Sequence, residues 1–153
     1  MEKENDIFKI LLADDDPDDR LLAEEAMRES NLLNPMDMVE DGEELLAYLR
    51  REGKYSHLMG DPLPGLIILD LNMPRMNGRE ALKEIKSDPS ICHIPVVVLT
   101  TSEVEEDIYR SYNLGVNSFI TKPVTFKSFV ELMQDLGRYW FEIVSLPNNR
   151  VDL

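Results

Sequence analysis

The chain has 153 residues, 43% of them hydrophobic and 30% charged, a composition that predicts one globular domain with little room for a second. Its formal charge of −14 excludes non-specific adhesion to nucleic acid or anionic lipid, which carry the same sign, and favours cationic or metal-assisted partners. No apolar run approaches the ~20 residues of a membrane span, and the start MEKENDIF lacks a signal peptide's basic and apolar regions, so the cytoplasm is the expected location.

In chain order, residues 7–12 form a first strand-like run that leads into Asp14-Asp15. Asp16 followed by Pro17 reads as an N-cap with proline at the first helical position, and Leu22, Ala23, Ala26 and Met27 give the first helix one apolar face. A second strand is expected over residues 36–39. Asp41-Gly42 then reads as a turn, with a second helix after it on Leu45, Leu46 and Leu49. Residues 54–65, with Gly60, Pro62 and Pro64, read as a long loop. The third strand covers residues 66–69 and ends in Asp70, and the third helix follows Gly78 on Ala81, Leu82 and Ile85. A fourth strand spans residues 95–99 and ends in Thr100; its run Val96-Val97-Val98-Leu99 is apolar throughout, as in a parallel strand buried on both faces.

Ser102-Glu103-Val104-Glu105 has capping-box spacing and predicts a fourth helix to about Gly115. The fifth strand, residues 118–121, runs into Lys122-Pro123. A fifth helix starts after Thr125 and repeats Phe129, Leu132, Met133, Leu136, Trp140, Ile143 and Val144 over about 19 residues, roughly 28 Å. The domain is expected to occupy residues 1–147, with a polar tail at 148–153. Strands alternating with helices predict an α/β fold, a parallel sheet covered on both faces.

Ligands of such sheets bind beyond the carboxyl ends of the strands, where the winding reverses. Three carboxylates would meet there, Asp14, Asp15 and Asp70, each pair repelling by ~4 kcal/mol at 4 Å and an effective dielectric near 20. Lys122 alone cannot offset three charges, but a divalent cation can. A set of oxygen donors without thiol or imidazole suits Mg²⁺ or Mn²⁺. Such an ion, with Lys122 and the Thr100 hydroxyl, would neutralise the oxygens of a phosphoryl group passing onto Asp70, the obvious nucleophile. His57 and His93 are expected in loops at the surface, and Cys92, the single cysteine, has no internal disulfide partner.

The segments LLADDDPDDR, IILDLNMPRMNG, VVVLTTS and FITKP resemble the CheY-like receiver domain of two-component signalling, over residues 7–136. The resemblance implies a flavodoxin-like doubly wound sheet of five parallel strands, order 2-1-3-4-5, with five helices. It implies Asp70 as phosphoacceptor, Asp15 as direct Mg²⁺ ligand, Asp14 as a ligand acting largely through water, and the backbone carbonyl of Asn72 as a further ligand. Thr100 matches the hydroxyl that follows the phosphoryl group, Lys122 the cation that pairs with it, and Phe119 the aromatic that switches rotamer. Lys122-Pro123 matches a cis-proline site. Phe119 departs from the frequent tyrosine, and Thr101 stands where a smaller residue is frequent.

The longer segments KYSHLMGDPLPG, GREALKEIKSDP and YWFEIVSLP are similar to single-domain regulators paired with bacterial phytochrome-type histidine kinases. Such a regulator would be a switch and not an enzyme, with a histidine kinase as phosphodonor. Its output would be the surface of the fourth helix, fifth strand and fifth helix, where Tyr139, Trp140 and Phe141 would join a homodimer. Three rivals fare worse. A haloacid-dehalogenase-type phosphotransferase wants a second acid two residues after the nucleophile, where Asn72 stands. A nucleotide or flavin binder would show G-x-x-x-x-G-K-[ST] or G-x-G-x-x-G, and neither occurs. A pseudo-receiver that only binds partners would have no need of the full pocket set.

Overall fold

A computed structural model describes residues 8–30, 34–100, 118–121 and 125–138 of the chain. Strands β1 (Ile10–Ala13), β2 (Met36–Val39), β3 (Leu66–Asp70), β4 (Val96–Thr100) and β5 (Ser118–Thr121) pair in the order β2-β1-β3-β4-β5. Every pairing is parallel, with Ile10 opposite both Met36 and Leu66, Asp70 opposite Leu99, and Thr100 opposite Thr121. This is the order expected from the sequence. The winding reverses at β1, so the crevice between the carboxyl ends of β1 and β3 is the switch point where such folds bind ligands.

The continuous apolar runs resolve into two faces because successive strand side chains point to opposite sides. Leu11, Ala13, Ile67, Leu69, Val96 and Val98 pack on one side against α2 (Gly42–Arg50) and α3 (Gly78–Ser87). Ile10, Leu12, Leu66, Ile68, Val97 and Leu99 pack on the other against α1 (Pro17–Glu29) and α4 (Phe126–Leu136). Each such buried valine, leucine or isoleucine side chain contributes about 1.5–3 kcal/mol.

The helix starts follow the capping signals. Asp16 accepts from the Asp18 N–H at 2.9 Å with Pro17 at the first position, and Thr125 accepts from the Ser128 N–H at 3.0 Å. Two expectations are corrected. Asp41-Gly42 is no free turn, because Asp41 is the N-cap of α2 and Gly42 its first residue. The stretch 54–65 is no plain loop, because a 3₁₀ helix covers Gly53–Leu58. Tyr55 holds that helix in place by packing edge-on against Tyr48 at 5.0 Å and donating its hydroxyl to Glu44. Strand ends also shift. Among the described residues the β1 ladder begins at Ile10 and leaves out Phe8 and Lys9, and Pro95, which has no N–H to give, precedes β4 while its carbonyl accepts from Ile67 at 3.0 Å.

The helix expected over 102–115, the Lys122-Pro123 bond and the continuation of the last helix over 139–144 lie outside the described residues. Among the described residues, no helix is long and apolar enough to cross a membrane.

Candidate functional site

The last sheet residue of β1 is the buried Ala13, and the chain then leaves the sheet carrying Asp14 and Asp15. Asp14 is fixed from several sides. Its N–H donates to the Val39 carbonyl at 3.0 Å, one carboxylate oxygen accepts from the Asp16 N–H at 3.0 Å, and its carbonyl accepts from the Arg20 guanidinium of α1 at 2.8 Å. Asp70 closes β3, and its Oδ1 accepts from the Asn72 N–H at 3.1 Å. One carboxylate oxygen each from Asp14, Asp15 and Asp70 lies within 4.8 Å of the others.

Asp14 and Asp70 are 2% and 5% exposed, so water screens their mutual repulsion weakly, while Asp15 opens to solvent. At this separation, and at an effective dielectric of 20, each pair repels by at least roughly 3.5 kcal/mol. The group contains only hard oxygen donors, with one member reachable from water. It therefore suits a small divalent cation of the Mg²⁺ or Mn²⁺ kind and offers nothing to a thiophilic metal.

The loop 71–77 shapes the remaining wall. Asn77 caps α3 in a reciprocal capping box with Glu80, and Gly78 donates to the Leu71 carbonyl at 2.9 Å. A Cβ at Gly78 would lie 2.5 Å from the Asp70 carbonyl oxygen, so only glycine lets α3 start against the end of β3. Arg75 sits in the left-handed region at φ 60 and places Nη2 2.7 Å and Nε 2.9 Å from Asp41 Oδ2. Next to it, the Met76 carbonyl accepts from the Gly42 N–H at 2.8 Å.

Burial works to raise the Asp41 pKa, but the Glu44 N–H and the Arg75 guanidinium outweigh it and hold the carboxyl below its ordinary value. From the sequence Asp41 reads only as part of a turn, and Arg75 carries no role. Glu44, three residues after Asp41, was the signal for the cap. Nothing local pointed to Arg75.

Thr100 ends β4 one step beyond the partner of Asp70, on the strand next to β3, and Phe119 lies one strand further out on β5, opposite Val98. The side chains of Thr100 and Phe119, and residues Thr101, Lys122, Pro123, Tyr139, Trp140 and Phe141, lie outside the described residues. His57 on the 3₁₀ helix and His93 in the turn before β4 are both exposed, and neither belongs to the carboxylate group.

Residues 10–134 match the response regulator receiver domain family. Response regulator Rcp1 of Synechocystis sp. is 41% identical over 138 residues, covering 90% of this chain and 92% of that protein. The crystal structure of the phosphorylated cyanobacterial phytochrome response regulator RcpA is similar with a TM-score of 0.84 at 42% identity, over 92% of this chain and 99% of that one. The Mn²⁺-bound form of Rcp1 is similar with a TM-score of 0.82 at 40% identity, over the same 92% and 99%.

Proposed function

From the premise that this chain belongs to the response regulator receiver domain family, we propose that it takes a phosphoryl group onto Asp70 from a histidine kinase and changes its surface in response. The observation that carries the reading is the group of three carboxylates at the switch point, within 4.8 Å of one another. Asp70 is the nucleophile because it stands at the end of β3 within the carboxylate group, where the Asn72 N–H orients its Oδ1. The new bond joins a carboxylate oxygen of Asp70 to phosphorus as the phosphorus–nitrogen bond of the donor phosphohistidine breaks, and the leaving imidazole takes up a proton. Water later attacks the acyl phosphate and returns the carboxylate and inorganic phosphate, so the chemistry stays confined to the chain's own side chain.

Asp14, Asp15, Asp70 and the Asn72 carbonyl are assigned to hold Mg²⁺, a role supported by the all-oxygen donor set and by the Mn²⁺ held by a relative. When bound, the cation supplies positive charge against the carboxylates and the phosphoryl oxygens. The Thr100 hydroxyl and Lys122 are assigned to the phosphoryl oxygens, and Phe119 to the switch that carries their state to the surface. The phosphodonor is assigned to a phytochrome-type kinase in the cytoplasm, which the resemblance to phytochrome response regulators supports. The domain is assigned to residues 1–147 with a tail at 148–153, and Tyr139, Trp140 and Phe141 to contact with a second copy.

A small acyl phosphate donor tests the reading. The chain should become labelled only when Mg²⁺ is present, and Asp70→Asn should abolish the alkali-labile label. Full labelling of that variant, or of the parent without any divalent ion, would overturn the assignment.

A further inference from the structure

Resting on that assignment of the phosphoryl site, we propose that Asp41 and Arg75 are positioning residues for it, a strap that holds loop 71–77 in the shape the Asp70 chemistry needs. Asp41 divides its carboxylate between two elements. Oδ1 accepts from the Glu44 N–H of α2 at 2.8 Å, and Oδ2 takes Arg75 Nη2 at 2.7 Å and Nε at 2.9 Å. Neither residue belongs to the carboxylate group, so neither is assigned a direct contact with the cation.

That loop reaches the chemistry at its other end, where the Asn72 N–H donates to Asp70 Oδ1 at 3.1 Å. It also carries the Asn72 carbonyl assigned to the cation. Its far end is pressed against α2, since Gly42 donates to the Met76 carbonyl at 2.8 Å and a Cβ on Gly42 would come within 2.3 Å of that oxygen. Arg75 meanwhile holds a left-handed backbone, φ 60, which side-chain-bearing residues avoid unless something fixes them there. The ion pair is what fixes it.

A strap and a plain electric field predict different signs, and this decides the test. Arg75 is positive, so as a field its removal would tighten Mg²⁺ binding, whereas neutralising Asp41 would loosen it. As a strap, either loss frees the loop and both loosen it. The probe is Mg²⁺ alone, titrated calorimetrically into the full chain, with the initial rate of labelling by a small acyl phosphate measured alongside.

Asp41→Asn keeps a capping oxygen for α2 and loses the charge. Arg75→Ala loses the tie, Arg75→Gly loses it while relieving the left-handed backbone, and Arg75→Lys keeps the charge. The strap predicts that Asp41→Asn, Arg75→Ala and Arg75→Gly each weaken Mg²⁺ by about three- to tenfold, less than the roughly 10- to 100-fold of groups that bond metal ligands directly, because the pair acts through the loop. Arg75→Lys should recover part of the loss. Because glycine carries no backbone penalty at this position, weakened binding in Arg75→Gly cannot be blamed on strain.

Shifts of opposite sign in Asp41→Asn and Arg75→Ala, or parent-like binding in both, would overturn the strap while leaving the site assignment intact. A parent that neither binds Mg²⁺ nor is labelled at Asp70 would overturn both.

Discussion

The two ends of α2 are fastened by opposite means. At the amino end, the Asp41–Arg75 pair leaves the Arg75 side chain 62% exposed, so water screens the attraction. At the carboxyl end, Arg51 is 7% exposed and gives its guanidinium N–H groups to the carbonyls of Tyr48, Pro62 and Asp61 at 2.8, 3.0 and 3.3 Å. It also lies over the Tyr48 ring, 5.2 Å from its centre. One helix is thus clamped firmly where the segment 53–65 returns to the sheet and tied lightly where it meets the carboxylate site. A region that must readjust around a ligand is drawn from the weakly held part of a fold, and the amino end of α2 fits that description.

The sharpest way to break the comparison is to cut the strong end. Arg51→Ala removes three hydrogen bonds and the ring contact and leaves carbonyls in a half-buried pocket without their donor. The expected cost is about 2–4 kcal/mol, or roughly 6–12 °C in melting temperature for a domain of this size. Mg²⁺ affinity should stay at the parent value, because the clamp is at the far end of the helix from Asp41. Calorimetric melting with a parallel Mg²⁺ titration checks both halves. If affinity fell along with stability, the two ends would be acting as one unit.

Gly42→Ala sharpens the same comparison from the other end and is expected to be milder. The added Cβ would meet the Met76 carbonyl oxygen at 2.3 Å and the Met76 Cβ at 2.8 Å, so the loop must move. Overpacking of this kind costs about 1–3 kcal/mol. Unlike Arg51→Ala, it should weaken Mg²⁺ binding as well, since the displaced loop carries the N–H that orients Asp70. Undisturbed Mg²⁺ binding in this variant would mean that loop 71–77 keeps its shape without α2.

What was legible in the sequence follows the same division. The strand ends could be read because buried parallel strands are uninterrupted apolar runs, so Asp14, Asp15 and Asp70 stood out as the first polar residues after each. The sheet order came with the resemblance. What stayed hidden depends on partners distant in sequence. Asp41 and Arg75 are 34 residues apart, and Asp-Gly is so strong a turn signal that it masked the cap completed by Glu44. The 3₁₀ helix Gly53–Leu58 lies next to a stretch rich in glycine and proline, and it is secured by Tyr55 reaching back to Glu44 and Tyr48. The β1 start moved because Phe8 turns its ring over Gly65, whose Cβ would lie 2.5 Å from it, and only from Ile10 onward does the chain pair on both sides.

The smallest expected effect probes the polar rim of the strong end and is a matter of pH. The Tyr48 hydroxyl donates to Asp37 at 2.6 Å, and Lys9 lies 3.1 Å from the same oxygen. Burial acts to raise the Asp37 pKa, but the Tyr48 hydroxyl and Lys9 outweigh it and hold the carboxyl below its ordinary value. Burial and the Asp37 charge together push the Tyr48 phenol well above its ordinary value. A depressed carboxylate stabilises the fold above its unfolded pKa, near 4, and that contribution is lost as pH falls through the folded value. A raised phenol stabilises it below its unfolded pKa, near 10, and that contribution is lost as pH rises through the folded value. Tyr48→Phe removes the shared hydrogen bond, worth about 1 kcal/mol, and so lowers stability between these limits. Because the variant lacks the phenol and lets Asp37 return toward its ordinary pKa, its deficit should shrink below pH ~4 and above pH ~10. Urea melts of parent and variant across that range measure the deficit directly. No gap at any pH would show that Tyr48 acts here through the packing of its ring, against Tyr55 and under Arg51, which phenylalanine keeps, and not through its hydroxyl.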